Sequence, residues 1–400
     1  MITGAQKTLC ALLARALFGV SEPLEEPDWR AVMEEAQAQS VTLLALRALK
    51  PEEIAPEVYQ QWEQRANQML VNNLRVIHNH ALLHRWLTEA EIPYVILKGC
   101  ASASYYPVPE YRQMGDVDFL VSPDDVSRAG AVLSAQGLSD WNEPHECHVV
   151  YKGKTMHYEL HYGLPGMPAG KPGERVKALT ADLLEAAKLN ENGEMLLPSA
   201  LHHGIILLLH TCHHLTGEGV GLRHLCDWAV FLNSMEDSAF CELFEEKMKA
   251  VGLWQFAKVL TRCCRQYLKC PAGAWADDAD LALSDALMED ILAGGNFGKK
   301  DQQRINQAYL ISNRGKSGVS EGSLLKQFAA SMNNVVYTKW EKSKKWKVLL
   351  PAGWVWFGAK RAVQIAQGKR PALSGTLLQG AAERRALYSR LELYQPNDPQ

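Results

Sequence analysis

The sequence predicts an α+β protein in which a small sheet is flanked by helical regions on both sides. Three observations support this class. Short apolar runs bounded by glycine and proline lie between residues 91 and 198, as is typical of strands. Apolar residues at helical spacing precede them in residues 1–90. The helical pattern resumes at residue 199 and continues to Leu393.

These patterns divide the 400 residues into four predicted regions. They are a helical N-terminal region (1–90), a sheet-containing α/β core (91–198), a helical domain (199–335) and a basic, tryptophan-rich helical tail (336–400). Because 47% of the residues are apolar, a chain of this length can bury a substantial core. Residues 57–90 predict one long helix, since they contain few helix breakers.

The first predicted strand covers residues 94–97 and ends at Lys98 and Gly99. The small residues that follow, which include Ser102, can begin a helix. A strand, a glycine turn and a helix start are a common arrangement for holding phosphate, because glycine permits close approach and the helix start offers unpaired N–H groups. Lys98 would add a positive charge there. The alternative is an ordinary strand–helix turn.

Two carboxylates, Asp116 and Asp118, lie two residues apart in the next apolar run. Because strand side chains alternate between faces, both aspartates point the same way while Val117 and Phe119 point into a core. Two like charges on a partly buried face are costly unless a cation or hydrogen-bond donors compensate them. A divalent ion such as Mg²⁺ is the natural compensator. The alternative is an exposed edge strand with an acidic outer face.

A third carboxylate, Glu159, is predicted on a neighbouring strand. Residues 155–162 alternate between polar and apolar, which places Glu159 and His161 on one face. Residues 148–151 form the predicted hairpin partner, with Gly153 in the turn. The alternative for Glu159 is an ordinary solvated strand residue.

Two connecting segments complete the predicted core. Ser122–Asp125 has the residues of a helix cap and predicts a helix that ends at Gly137. Gly163–Gly173 is rich in glycine and proline and predicts a loop beside the acidic residues.

In this order, the segments resemble the nucleotidyltransferases of the DNA polymerase β superfamily, and more closely a bacterial nucleotidyltransferase family often labelled only as uncharacterised. The residues that carry the resemblance are Leu97–Gly99, Tyr105–Pro107, Arg112–Val121, Glu159–His161, His210 and Gly221–Asp227. The resemblance covers about residues 60–270 and implies a small mixed-sheet, polymerase β-like core. One departure is Cys100, which follows Gly99 where the superfamily usually has serine or glycine.

The resemblance also implies an activity, a cofactor and site residues. It implies transfer of a nucleoside monophosphate from an NTP to a hydroxyl acceptor (a small molecule, a sugar or a protein), with release of pyrophosphate. Mg²⁺, or alternatively Mn²⁺, would be held by the catalytic residues Asp116, Asp118 and Glu159. The predicted nucleotide-binding residues are Lys98, Gly99, Ser102 and Arg112. The predicted substrate-pocket residues are His161, His210, Arg223 and Asp227.

Some of these residues have open alternatives. Arg112 would neutralise the departing phosphates through a bidentate contact, or it is a surface arginine. His210 and Asp227 are predicted to meet between two helices of the helical domain. A metal-binding role is geometrically open for His210 and His214, which share a helix face. The two paired spacings typical of zinc sites do not occur, so we favour a substrate pocket.

The tail combines basic residues and tryptophans. Nine lysines and arginines lie between 339 and 370 against the single acid Glu341, interleaved with aromatic residues. This pattern suits an anionic membrane surface or a phosphate-rich ligand. The favoured interpretation is a helical cap in which the tryptophans pack on the body of the protein and the lysines face water.

Composition excludes several other classes. A net charge of −3 gives no reason to expect a nucleic-acid partner, and no apolar run approaches the roughly 20 residues that span a bilayer. Nine scattered cysteines and the absence of a secretory signal pattern predict a cytoplasmic protein. Two alternatives to the enzyme remain: a non-catalytic nucleotide-binding regulator, and a peripheral membrane protein that acts through its basic tail.

Overall fold

The computed structural model of the protein describes residues 2–24, 26–141, 147–311, 342–367 and 375–395. Between the third and fourth of these segments it also describes residues 329, 332, 333, 335–337 and 340. Within these limits the protein is a mixed α+β structure with a small mixed sheet and helical flanks, as the sequence predicts.

Four helices form the N-terminal region. They are α1 (Gly4–Phe18), α2 (Trp29–Ala38), α3 (Thr42–Ala48) and α4 (Pro56–Glu89). The 34 residues of α4 confirm the long helix predicted for 57–90. A proline in its first turn begins the helix, because that position has no intrahelical hydrogen bond to lose.

The sheet contains five strands. They are β1 (Tyr94–Ile96), β2 (Val117–Val121), β3 (Ser139–Asp140), β4 (His148–Lys152) and β5 (His157–His161). Their spatial order is β1-β2-β5-β4-β3, and only the central β2–β5 pair is parallel. The antiparallel β4–β5 pair confirms the predicted hairpin. The predicted mixed sheet is therefore confirmed.

Short helices connect these strands. They are α5 (Cys100–Ala103), α6 (Val126–Ala135) and α7 (Lys171–Leu179), and a hairpin of β6 (Lys188–Leu189) and β7 (Leu196–Leu197) follows. The predicted cap is confirmed, because the Ser122 hydroxyl accepts a hydrogen bond from the Asp125 N–H at the turn that leads into α6. The prediction that residues 163–173 form a loop is wrong for the last three of them, which are helical. Helix α7 begins inside that range, with Pro172 in the first turn where proline is tolerated.

Helices make up the rest of the described chain. They are α8 (Ala200–Thr216), α9 (Leu222–Leu232), α10 (Asp237–Val251), α11 (Trp254–Leu268), α12 (Leu281–Gly294) and α13 (Arg304–Ile311). Three further helices are Lys342–Lys345, Leu350–Ala366 and Gly375–Arg390. Helices α8 and α9 confirm the predictions for 201–215 and 222–232.

Two hydrophobic cores lie on either side of the sheet. The larger core joins α1–α3 to the helices from α8 to α12 and to the last helix. The smaller core lies between the sheet, α6 and the second half of α4. Helix α4 contributes Trp62 to the larger core and Leu83 to the smaller one, so it connects the two. The region boundaries at 90, 198 and 335 stay predictions, because each core draws on several regions.

The prediction that the tail tryptophans pack on the body is wrong for two of them. Trp346 and Trp356 are 66% and 60% exposed. Trp354 is half-buried and donates from its indole to the Asn333 side chain over 2.9 Å. The predicted basic residues Lys339, Lys369 and Arg370, and the acid Glu341, lie outside the described residues. None of the described helices has the length and apolar content required to cross a bilayer.

Candidate active site

The parallel β2–β5 pair brings the predicted carboxylates together. Its register places Asp118 directly opposite Glu159, and Leu120 opposite His161. Val117 and Phe119 are fully buried, which agrees with the predicted alternation of β2. Asp118 is itself 3% exposed, so its charge must be compensated by neighbouring groups rather than by water.

Asp118, Glu159 and His161 form a compact group that could hold a metal ion. One potential ligand atom from each lies within 4.8 Å of the others. The His161 Nε2 atom is 3.1 Å from Asp118 Oδ1 and 3.3 Å from Glu159 Oε2. Asp116 immediately precedes β2 and is outside this group, but its carboxylate is close enough to Asp118 for the two charges to repel.

Two cations compensate the carboxylates. The Lys98 ammonium is 2.8 Å from Asp118 Oδ1. Burial opposes its charge, but attraction by Asp118, Glu159 and Asp116 raises the pKa of Lys98. Burial also opposes a charge on His161, yet hydrogen bonds to Asp118 and to other neighbours raise the pKa of its imidazole to about 10. His161 is therefore a charged hydrogen-bond donor to the carboxylates at neutral pH rather than a neutral ligand.

The two aspartates differ in their affinity for protons. Repulsion by Asp118, together with burial, raises the pKa of Asp116 to about 7. Burial acts to raise the pKa of Asp118 as well, but Lys98 and His161 hold it well below its usual range. Asp118 is therefore ionised throughout the physiological range, whereas Asp116 exchanges its proton near neutrality.

This donor set fits a hard divalent ion. Lys98 and His161 together supply two positive charges beside three carboxylates, which is the charge that one divalent ion would supply. Carboxylate oxygens are the ligands that Mg²⁺ and Mn²⁺ prefer. Asp118 and Glu159, with the nearby Asp116, supply such oxygens.

The turn at Gly99 brings the backbone close to the aspartates. Gly99 has φ of 58° and ψ of −107°, a conformation that favours glycine. A Cβ atom there would lie 3.8 Å from the Asp116 carbonyl oxygen and 3.7 Å from His80 Nε2. A helix does begin after this turn, and α5 has 4 residues. Ser102 is 2% exposed, which leaves its side chain almost no surface for the predicted nucleotide contact.

Arg112 makes a bidentate contact, but its partner is a protein carboxylate. Its Nε and Nη2 atoms each donate to Asp227 over 2.7 Å, and Tyr106 donates to the same carboxylate over 2.7 Å. Both members of the pair are buried. The geometry is at odds with the predicted phosphate contact of Arg112, and also with the surface alternative.

The prediction that His210 and Asp227 meet is also at odds with the structure. His210 instead faces two other histidines, His214 at 4.4 Å and His224 at 5.3 Å between ring centroids. Burial lowers the pKa of His214 to about 4 and holds those of His210 and His224 well below the usual range. Lys98 is close enough to lower the pKa of His210 further. The three rings are therefore neutral at pH 7.

Arg223 lies close to both the Arg112–Asp227 pair and Asp116. It is half-buried, and loss of solvation together with the nearby Arg112 lowers the pKa of its guanidinium. Attraction to Asp227 and Asp116 opposes this effect. Its Nη1 atom donates to the Gln113 carbonyl over 3.4 Å. Arg223 therefore brings a further, half-buried positive charge close to the carboxylates.

A polar cleft of about 390 Å³ borders the segment that leads to Asp116. Its walls carry several side-chain amides and the lining residues are Gln37, Arg65, Gln68, Met69, Asn72, Asn73, Gln113 and Met114. Asn72 and Asn73 hold this segment through hydrogen bonds to the backbone of Met114.

Several neighbours of the site are absent from the sequence predictions. His224 and Tyr106 lie within the segments that carry the resemblance, but no local pattern distinguishes their contacts. Cys147 and His148 form a further group with His161, in which the ligand atoms lie within 4.8 Å of one another. These contacts depend on strand pairing and helix packing, so residue spacing alone does not indicate them.

Comparison with known proteins identifies a family. Residues 25–269, more than half of the chain, match a family model described as "Uncharacterised nucleotidyltransferase". The match includes the whole sheet and helices α8 and α9, and thus every residue of the candidate site. No curated protein and no solved structure matches the chain.

Proposed function

This chain belongs to the uncharacterised nucleotidyltransferase family, and we propose that it transfers a nucleoside monophosphate from an NTP to a hydroxyl acceptor, releasing pyrophosphate. Family membership makes it a transferase of phosphorus-containing groups with a nucleotide substrate. The observation that carries the finer proposal is the register of β2 and β5, which sets Glu159 opposite Asp118 and beside Asp116.

Asp116, Asp118 and Glu159 would hold Mg²⁺, with Mn²⁺ as the alternative. A bound divalent ion supplies charge neutralisation for the triphosphate and a lower pKa for the acceptor hydroxyl. Asp118 stays ionised and is ready to bind at any physiological pH. Asp116 must give up its proton first, and its pKa of about 7 lets it do so at neutral pH.

The surrounding residues orient these carboxylates. His161 donates from Nε2 towards Asp118 and Glu159, so that one N–H group is shared between the two carboxylates. Lys98 compensates Asp118 directly. When another cation takes over that compensation, the Lys98 ammonium becomes available to phosphate oxygens, which it binds as a point charge.

Nucleotide binding and turnover test this proposal. We expect Mg²⁺ with one or more of ATP, GTP, CTP and UTP to stabilise the wild-type protein against heat, by about 2.7 kcal/mol at 100 times the dissociation constant. The Asp116→Asn/Asp118→Asn variant should lose the metal-dependent part of this stabilisation. Asp124→Asn, which removes an exposed acid near β2, should retain it.

Release of pyrophosphate then separates the enzyme from its alternative. We expect pyrophosphate from the wild type in the presence of a suitable acceptor, and none from the double variant. Nucleotide binding without pyrophosphate release across acceptor classes would favour the non-catalytic regulator. Stabilisation that is unchanged in the double variant would contradict the assigned site.

A further inference from the structure

Three histidines from two helices meet outside the carboxylate group. His210 and His214 lie one turn apart on α8, and His224 lies in the first turn of α9. One ring nitrogen from each lies within 4.8 Å of the others. The third ring separation, between His214 and His224, is 5.7 Å.

The second nitrogen of His214 has a carboxylate neighbour. His214 Nδ1 is 3.5 Å from Glu218 Oε2, a residue one turn further along the chain. A carboxylate at one ring nitrogen orients an imidazole and increases the basicity of the other, and metal-binding histidines commonly have such a partner. Nε2 of His214 is therefore the atom presented to the other two rings.

His224 offers an unpartnered buried atom. The residue is 3% exposed, and its Nε2 atom has no hydrogen-bond partner among the described residues. Its Nδ1 atom accepts a long hydrogen bond from the Gly221 N–H over 3.4 Å. A buried ring nitrogen without a partner is costly, because it has given up its hydrogen bonds to water.

Aromatic packing does not account for this arrangement. Phe297 lies 4.6 Å from His214 and 5.8 Å from His224 between ring centroids. It does so with φ of 57°, a conformation that is unfavourable for a bulky residue and is characteristic of functional sites. A phenylalanine ring also leaves the His224 Nε2 atom without a partner.

We propose that His210, His214 and His224 form a transition-metal site of the Zn²⁺ class, separate from the carboxylate site. Neutral imidazoles are the ligands that such ions prefer, whereas Mg²⁺ prefers oxygen. Three histidines leave a fourth coordination position, as in zinc sites that bind water or substrate.

The charge around the site indicates the fourth ligand. Lys98 and Arg223 both act on His210 as nearby positive charges. An anionic oxygen in the fourth position would offset these charges and that of the metal. A phosphate group fits this requirement, and this step rests on the proposed function, in which a triphosphate is bound beside Lys98.

Zinc stoichiometry tests the site. The full-length protein is stripped with a chelator, dialysed against Zn²⁺ and analysed for bound metal by mass spectrometry. The Asp118→Asn/Glu159→Gln/Cys147→Ser background removes the carboxylate site and the thiol of the Cys147 group, and we expect it to retain one Zn²⁺ per chain. Adding His210→Gln and His224→Gln should abolish this binding. His78→Gln, an exposed histidine on α4, is the matched control and should retain it.

Cobalt spectroscopy on the wild type decides the question even where the histidine variant does not fold. Co²⁺ bound by three histidines and an oxygen should give the intense visible bands of a four-coordinate ion, without a thiolate charge-transfer band. A thiolate band would instead indicate Cys147 and overturn the proposal. Absence of bound Co²⁺ and Zn²⁺, or zinc binding unchanged in the folded histidine variant, would also overturn it.

These outcomes are separate from those of the proposed function. If the variant that carries Asp118→Asn and Glu159→Gln loses pyrophosphate release but keeps its zinc, both proposals stand. If the wild type binds zinc but never releases pyrophosphate, only the proposed function fails. If turnover depends on the carboxylates and no zinc binds, only the histidine site fails.

Discussion

Asp227 is the residue on which the helical side of the site depends most. It accepts hydrogen bonds from Arg112 and Tyr106, and all three side chains are buried. The half-buried Arg223 adds a second positive charge nearby. Because a buried ion pair gains its stability only while both partners are present, loss of this one carboxylate leaves the Arg112 guanidinium without its counterion.

We therefore expect Asp227→Asn to lower the free energy of unfolding by about 3–5 kcal/mol, as measured by urea denaturation. The control is Glu174→Gln, which breaks the exposed Glu174–Lys177 pair of α7. Since exposed pairs contribute little, that variant should change stability by less than about 1 kcal/mol. Equal effects of the two variants would contradict the structural role of Asp227.

At the scale of elements, the turn between β1 and α5 determines where Lys98 lies. The Leu97 N–H donates to the Asp118 carbonyl over 3.1 Å, which ties the end of β1 to β2. Gly99 then turns the chain with a positive φ, so that the Lys98 ammonium reaches Asp118. The position of this cation thus depends on one backbone conformation.

Gly99→Ala should therefore destabilise the protein by about 1–3 kcal/mol, because a side chain disfavours this backbone conformation. The cost is conformational, since the nearest atoms to the new Cβ lie at ordinary contact distance. Gly115→Ala is the matched control, because it has open space and no positive φ, and should change stability by less than about 0.5 kcal/mol. Thermal unfolding of both variants measures the difference, and similar melting temperatures would argue against a strained turn.

At the scale of the whole molecule, buried neutral histidines lie in both cores. His80 on α4 lies beside the Gly99 turn, while His203 on α8 stacks on Tyr105 at 5.0 Å. Burial lowers the pKa of His80 to about 4 and that of His203 to about 3. In the unfolded chain a histidine takes up its proton at a pH of about 6.5. The folded protein is therefore expected to lose stability as the pH falls below that value.

His203→Phe tests this linkage while keeping an aromatic ring against Tyr105. Below a pH of about 6.5 the unfolded state binds a proton at His203 that the folded state does not bind, so each pH unit costs about 1.4 kcal/mol. Between pH 6.5 and 5, we expect the wild type to lose about 2 kcal/mol more unfolding free energy than the variant. The unfolding free energies of the two proteins, measured by urea denaturation and plotted against pH, should run parallel above pH 7. Parallel plots down to pH 5 would contradict the prediction.

Much of the candidate site could be predicted from local patterns. Alternation predicted that Val117 and Phe119 are buried and that Glu159 lies on a neighbouring strand, and the burial of β2 and its pairing with β5 agree. The partner of Arg112 could not be predicted, because Asp227 is 115 positions away and approaches only through helix packing. The same is true of His224, which joins His210 from another helix.

The fold class, four of the five strands of the main sheet and the long helix α4 could be predicted from the sequence, since alternation and helical spacing reflect nearby residues along the chain. The sequence also predicted that the buried carboxylates need a cation or hydrogen-bond donors to compensate them. Which cation compensates which acid is seen only in the tertiary structure. It assigned Lys98 and His161 to Asp118, Arg112 to Asp227, and His210 to two other histidines. Such pairings depend on distances between elements, which packing sets and local sequence does not encode.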